Sequence, residues 1–434
     1  MVAFNNHIYP PGPDIPVELD AGDDTIDQIT KLFRQFGNIY KVYSERRKSY
    51  TYVINDPEMI KHVLITNNRN YTKGVGIDRV KILLGNGIMG SEGEYWKKQR
   101  RMVQPAFHRK VTERLSRSIV TANQKMAAEW GVMAKQGEAI NLTAELSRLT
   151  LNIVLQSLFS TDLNLIEKQH RMHPFMLLTE EHARDLNFAL KFRSLASEIR
   201  NIMQRRAQDG RTEDDFLSML MTARDPETGE GMSDKEIIDE LLTLIVAGHE
   251  TTASALNWAW YLLATHPQVY QQMKLEIQAL NGMPPGFGQL QQLGFVKQVI
   301  DETMRMYPPG WLLTRKSITD DQIGRYHVPA KTDIFISPFL MHRHPDYWEN
   351  PEQFMPDRFS YPQKDRGRFE YFPFGGGPRQ CIGDYFAQVE MQLHLAIITQ
   401  KYDLQVVVPE QITMEARINL RNPNPLYTFL SLRK

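Results

Sequence analysis

The chain has 434 residues, 42% of them hydrophobic and 24% charged, with Lys plus Arg equal to Asp plus Glu at 51 each. Such a balance excludes a polybasic nucleic-acid binder and an acidic solvated tail, and it can bury a large core in one big domain or several ordinary ones. The single cysteine excludes an intrachain disulfide framework and fits a reducing compartment.

No run approaches the ~18 apolar residues of a membrane span. The N-terminal stretch to Pro13 has neither the charged region nor the apolar run of a signal peptide, so a cytoplasmic protein without a membrane anchor is expected. Ile26, Ile29, Leu32, Phe33 and Phe36 form one helical stripe, closed by Gly37. Strand-like runs follow at Ile39–Tyr43 and Tyr50–Ile54. Asp56 and Pro57 then supply an N-cap and a first helical position. The glycine-rich stretch from Thr72 to Gly93 reads as irregular. Six Lys/Arg residues and no acid lie from Trp96 to Lys110, which predicts a local positive patch. Trp96 and Arg100, four apart, share a helical face.

From Val111 to about Arg224 the pattern is helical, and Asp225–Gly231 reads as a loop. Ser233 and Glu236 form a capping box that opens the longest helix, running to Thr265 before Pro267. At its centre stand Ala247, Gly248, His249, Glu250, Thr251 and Thr252. A mid-helix glycine costs about 1 kcal/mol against alanine and asks for a reason. Thr251 can compete for the Ala247 carbonyl and open the helix locally. The His249–Glu250 pair is not a zinc motif, because Ala253 occupies the place of the second histidine. A helix from Phe295 to Met306 carries Glu302 and Arg305 at a spacing that permits pairing. Strands are predicted at Tyr326–Val328, Thr332–Ser337 and across Ile412–Leu432, the last broken at Asn422–Pro425. His342 and His344 look like a metal pair by spacing alone.

The stretch Phe374–Gly383 contains Cys381, preceded by Gly375, Gly376, Gly377 and Pro378, so its backbone bends tightly. It feeds a helix whose Phe386, Val389, Leu393 and Ile397 share one face. A cysteine placed just before a helix N-terminus meets unpaired N–H groups that favour its thiolate.

The pattern Phe374-x-x-Gly377-x-Arg379-x-Cys381-x-Gly383 resembles the haem-binding loop of the cytochromes P-450. Trp96/Arg100, the six residues from Ala247 to Thr252, Glu302/Arg305 with Arg358, and the stretch from His342 to Trp348 match further family motifs in order. The resemblance implies a mainly α fold with a small β region. That β region would comprise roughly residues 1–70 with strands near 326–337 and 412–432. It implies one catalytic domain over 1–434, with haem sandwiched between the long central helix and the helix after the cysteine. Cys381 would be the axial thiolate of haem b. Arg379, Phe374, Gly375, Gly383, Ala387, Trp96, Arg100 and Arg315 would contact the cofactor. Gly248 and Ala247 would let the helix pass close to it, Thr251 would hydrogen-bond the oxygen-derived group or its water, and Glu250 would feed protons. Glu302, Arg305 and Arg358 would form a buried ionic triad.

The implied activity inserts one atom of dioxygen into a lipophilic small molecule by hydroxylation or epoxidation. Fatty acids, terpenoids, carotenoid-like compounds and natural-product intermediates are the expected classes. Leu83, Leu84, Ile88, Met89, Phe175, Leu244, Trp311, Leu312 and Leu313 would line the pocket, with a lid at 169–191 that includes Phe188 and Leu190. Electrons would come from a separate ferredoxin or flavodoxin docking near Lys97, Lys98 and Arg101, since little chain follows the haem region. The protein would be a monomer of bacterial type that binds no nucleic acid. Alternatives within the family are peroxygenase, isomerase, dehydratase or oxidative-coupling chemistry. Outside it stand a haem sensor and a cysteine enzyme without haem.

Overall fold

The computed structural model describes residues 7–19, 24–169, 174–179, 186–360, 366–408 and 412–433. The chain forms two compact units, one from Met1–Ile77, Asp301–Cys381 and Gln411–Pro423, the other from Asp78–Ile300, Ile382–Glu410 and Asn424–Lys434.

The first unit is built on a five-stranded sheet in the order Ile39–Ser44, Ser49–Ile54, Asp333–Ile336, Leu313–Ser317, Tyr71–Lys73. All neighbours are antiparallel except Ser49–Ile54 beside Asp333–Ile336, which run parallel. Side chains alternate across a strand, and here both faces are buried. Tyr52, Ile54, Ile334 and Ile336 join one apolar cluster, whereas Tyr40, Val42, Val53 and Phe335 join another. The predicted stripe of helix Thr25–Phe36 covers the second face through Ile26, Ile29 and Leu32. Gly37 ends that helix at φ 83°, where a side chain would strain the backbone. Asp56 caps the next helix, Pro57–Lys61, by accepting from the N–H groups of Glu58 and Met59.

The second unit is mostly helical. Its axis is the helix Asp234–Thr265, which at 1.5 Å per residue spans roughly 50 Å. The Ser233/Glu236 capping box is present in both directions. Ile238, Leu242, Ile245, Leu256, Trp258 and Trp260 are all buried around it, as befits a helix in the middle of a core. Helices Arg109–Lys135, Leu142–Phe159 and Asp384–Lys401 belong to the same unit. So does the small sheet Ile140–Asn141, Tyr427–Leu432, Tyr402–Val407.

Two expectations are corrected and one strand is added. The stretch Thr72–Gly93 is not irregular throughout, because Ile77–Leu84 is helical. The strand Leu313–Ser317 was not anticipated, since its run of Thr, Arg, Lys and Ser shows no apolar alternation and its pairing is set by the strands on either side. The C-terminal strand region is confined to Glu415–Ala416, Leu420–Arg421 and Tyr427–Leu432. Residues 170–173 and 180–185 of the expected lid lie outside the described residues, as do the side chains of Phe188 and Leu190.

Candidate active site

In the first unit, the cysteine loop is closed by its own backbone. The N–H of Cys381 donates to the Phe374 carbonyl at 2.9 Å, that of Gly375 to Phe372 at 2.9 Å, and that of Gln380 to Gly377 at 3.1 Å. Gly377–Arg379 forms one 3₁₀ turn with Pro378 at its start. Gly375 and Gly377 both stand at φ 71°, a conformation glycine adopts without cost. Gly377 has a second reason: a Cβ there would sit 1.9 Å from the carbonyl oxygen of Leu64. The Cys381 thiol is exposed at the end of this loop and is not in a disulfide. Phe374 and Arg379 are half-exposed beside it in sequence.

The loop hangs from a buried ionic network. Arg305 donates to Glu302 at 2.7 and 2.8 Å, and to the carbonyls of His342, Pro351 and Gln353 at 2.8, 2.7 and 3.1 Å. Arg358 reaches Glu302 at 3.3 Å, and the Met355 N–H reaches it at 2.9 Å. His342 is no metal ligand: its Nε2 accepts from the Phe372 N–H at 2.9 Å, and burial pushes its pKa well below the usual histidine value. His344 contacts Asn38 at 3.0 Å. His342 thus holds the backbone that leads into the loop.

Trp311, expected in the pocket, is 2% exposed, packs in the sheet's second cluster, and donates its indole N–H to Arg417 at 2.9 Å. Leu312 and Leu313 are half-buried, each leaning on one of the two clusters. Arg315 lies on the strand Leu313–Ser317 and donates to the Thr314 carbonyl at 2.8 Å.

In the second unit, the face of the long helix bearing Ala247, Gly248, Glu250 and Thr251 is half-exposed, whereas His249 and Thr252 are buried. Thr251 Oγ1 donates to the Ala247 carbonyl at 2.7 Å, as expected. The expected local opening is absent, because Asp234–Thr265 is helical throughout. A hydroxyl that shares an already bonded carbonyl need not break the ladder. Gly248 faces helix Leu142–Phe159, where a Cβ would come 2.9 Å from Val154 Cγ2. His249 is held by Ser147 at 2.9 Å.

Two residues went unnoticed in the sequence. Asp239 accepts from the Asn86 N–H at 2.9 Å and Glu240 from the Ile88 N–H at 3.0 Å. These carboxylates stitch the turn that carries Leu84, Ile88 and Met89 to the long helix, two turns before Ala247. Leu244, on the same helix, is buried. The signal was available: adjacent acids at apolar-spaced positions of a buried helix need partners. Phe175 is fully buried beside Phe159, with ring centroids 5.8 Å apart.

Trp96 and Arg100 lie on helix Gly93–Val103, with Arg100 Nε donating to Gln104 at 3.2 Å. Gly383 is the N-cap of Asp384–Lys401, and the Ala387 N–H donates to its carbonyl at 2.9 Å. Three of the six cations of the predicted positive patch are neutralised. Lys97 pairs with Glu94 at 2.6 Å, Lys98 with Glu230 at 2.6 Å, and Arg101 with Asp225 at 2.9 Å and Glu227 at 3.0 Å. The Arg101 guanidinium holds the Asp225 carboxyl down at about 2. The neutralising acids come largely from the 225–231 loop, more than a hundred positions away in sequence.

The donor set suits haem iron. Among the described residues no group of three His, Cys, Asp or Glu is placed to hold a bare ion. One accessible thiolate fits an iron that brings its own equatorial ligands.

The family model described as cytochrome P-450 matches residues 16–429. The chain is 32% identical over 380 residues to cyclooctat-9-en-7-ol 5-monooxygenase of Streptomyces melanosporofaciens, covering 83% of this chain and 81% of that one. It is 28% identical over 478 residues to the chloroplastic carotene epsilon-monooxygenase of Arabidopsis thaliana, covering 96% and 86%. The crystal structure of the cytochrome P450DA heme domain matches with a TM-score of 0.86 at 24% identity over 98% of each chain, which shows the fold. The chain therefore belongs to the cytochrome P-450 family, as the loop at Cys381 implied. It is a mainly α haem-iron monooxygenase.

Proposed function

We propose that residues 1–434 act as one catalytic domain holding haem b on Cys381 and hydroxylating or epoxidising a terpenoid or carotenoid-like substrate. The single observation that carries this reading is the exposed Cys381 thiol at the tip of a glycine loop braced by its own backbone. When bound, the haem supplies the redox chemistry of dioxygen, with the thiolate pushing electron density towards O–O cleavage.

The chain's own residues position and protonate. The Cys381 N–H, committed to Phe374, fixes the backbone from which the sulfur projects. Arg379, Arg100 and Arg315 offer guanidinium forks of the shape a carboxylate accepts, with the Trp96 ring beside Arg100 on its helix. Thr251 spends its proton on the Ala247 carbonyl, so its oxygen is an acceptor towards the half-exposed side, where a water can be held. Glu250 precedes it as the proton source. Ala247 keeps the same face free of bulk, and Gly248 lets the helix lie close against Leu142–Phe159.

For the substrate, Leu84, Ile88, Met89 and Leu244 supply apolar surface along one stretch of the second unit, and Leu313 supplies it in the first. One relative is named for an unsaturated alcohol and another for carotene, both poor in charge. Trp311, Leu312 and Phe175 would add to this lining. Electrons would come from a ferredoxin or flavodoxin, and the protein would work as a cytoplasmic monomer of bacterial type. No helix among the described residues is long and apolar enough to cross a membrane.

Optical titration of the purified ferric protein with fatty acids, terpenoids, carotenoids and polycyclic aromatics tests this reading. A saturable shift of the Soret band towards high spin with a terpenoid or carotenoid is the expected result. A shift with fatty acids alone would replace the substrate class. Failure to take up haem would overturn the site.

A further inference from the structure

The cysteine loop of the first unit rests on a turn of unusual geometry. Residues His62–Thr66 form a π-helical turn, with the Asn67 N–H donating to the His62 carbonyl at 2.8 Å. Such turns carry one residue more per winding than an α-helix, are rare, and persist where surrounding contacts hold them. This one presents the Leu64 carbonyl to Gly377, where any Cβ would lie 1.9 Å from that oxygen and 3.5 Å from Ile65 Cγ1. Val63 and Leu64 share an apolar cluster with Phe369 and Phe372, the residues that lead into the loop. The loop thus has a seat, and the seat is the π-turn.

Three polar side chains pin that seat. His62 Nε2 lies 2.9 Å from Asp321 Oδ2, and the Tyr71 hydroxyl donates to the same oxygen at 2.5 Å. The Asp321 carboxylate also accepts from the Gln322 N–H at 2.8 Å. Burial raises the Asp321 pKa, but hydrogen bonds from Tyr71 and His62 outweigh it and hold the group below its ordinary value. An ionised carboxylate only accepts, so His62 carries its proton on Nε2. The cluster joins three separate elements: the π-turn, the edge strand Tyr71–Lys73 and the strand Asp321–Ile323. With Asp321 11% and His62 28% exposed, these charge-assisted bonds lie out of full solvent screening.

We propose that His62, Asp321 and Tyr71 form a positioning clamp for the cysteine loop, holding the π-turn so that the Leu64 carbonyl fixes Gly377 and, through it, Cys381. The clamp rests on the reading of Cys381 as the iron ligand. None of its three side chains belongs to the motifs identified in the sequence.

The test is hydrogen–deuterium exchange on the haem-loaded enzyme, followed in peptides covering 372–383 and 39–54, with the ferric–ferrous midpoint potential measured in parallel. Asp321→Asn should speed exchange of the loop peptide about tenfold and shift the potential, while the 39–54 strands stay as protected as in the parent. Tyr71→Phe, which keeps the His62–Asp321 contact, should give a smaller change of the same kind. It also covers the case in which Asp321→Asn fails to fold. The control is Glu18→Gln, which weakens the bond from Ser44 at 2.6 Å on the opposite edge of the same sheet and should leave the loop unchanged. An unaltered loop in both clamp variants would overturn the proposal, as would equal loosening of the whole sheet in clamp and control variants. The parent enzyme's haem content is read first. If the parent takes up no haem, the ligand role of Cys381 fails, and the same exchange comparison run on the haem-free proteins judges the clamp separately.

Discussion

Glu302 and Arg305, one helical turn apart, meet through two hydrogen bonds of 2.7 and 2.8 Å with neither side chain exposed to solvent. An ion pair at that spacing on a surface helix contributes little. Here Arg305 also satisfies three backbone carbonyls from residues 342–353, the chain that leads towards the cysteine loop. The pair is therefore a fastening point for backbone, and its partners cannot be lost one at a time.

Glu302→Ala leaves Arg305 charged, buried and half-satisfied. Loss of one partner of a buried pair costs about 3–5 kcal/mol. The expected outcome is little or no haem-loaded protein, measured as haem per polypeptide and as the urea midpoint of what is recovered. A normal holoenzyme would remove the network's role in holding the loop.

Gly248 and Val154 set up a reversal of sign. Gly248→Ala gains about 1 kcal/mol of helix propensity but forces a methyl to within 2.9 Å of Val154 Cγ2. Overpacking costs roughly 1–3 kcal/mol, and a β-branched neighbour has little room to turn away. The single variant should be less stable than the parent. In a Val154→Ala background the same change should stabilise. Urea midpoints of the four proteins form the cycle that reads this coupling.

Thr251→Ala removes the hydroxyl that bonds the Ala247 carbonyl and its acceptor oxygen together. Since the helix is unbroken there, stability and substrate binding should change little. Product formed per pair of electrons consumed should fall about tenfold or more, with hydrogen peroxide released instead. Thr251→Ser should retain most of the coupling. Coupling unchanged in Thr251→Ala would point to peroxide-driven or other family chemistry.

His394 provides a pH signature. The Trp260 indole donates to its Nε2 at 2.9 Å, so the ring proton sits on Nδ1 and faces Asn123 Oδ1 at 2.8 Å. Burial pushes its pKa from 6.5 down to about 3. The unfolded chain therefore binds this proton first, and stability is lost as pH falls from about 6.5 towards 3. His394→Gln should flatten that part of the pH dependence of the urea midpoint. It should also lower stability at pH 8 by about 1–3 kcal/mol through imperfect hydrogen bonding.

Much of this protein was legible in its residues because the deciding interactions are local. The capping box at Ser233, the N-cap at Asp56, the stop at Gly37 and the Thr251 bond to Ala247 each depend on neighbours within four positions. The glycines and lone cysteine of the loop announce a constrained thiolate for the same reason. What needed tertiary structure depends on partners distant in sequence. The cations Lys98 and Arg101 read as a positive patch until Asp225, Glu227 and Glu230 are folded against them. The indole N–H of Trp311 finds its acceptor, the Arg417 carbonyl, on a segment far along the chain. The carboxylates of Asp239 and Glu240 find backbone donors some 150 positions upstream. The clamp of His62, Tyr71 and Asp321 spans some 250 positions. Charge and burial are properties of what surrounds a side chain, and the order of residues specifies those surroundings only through the fold.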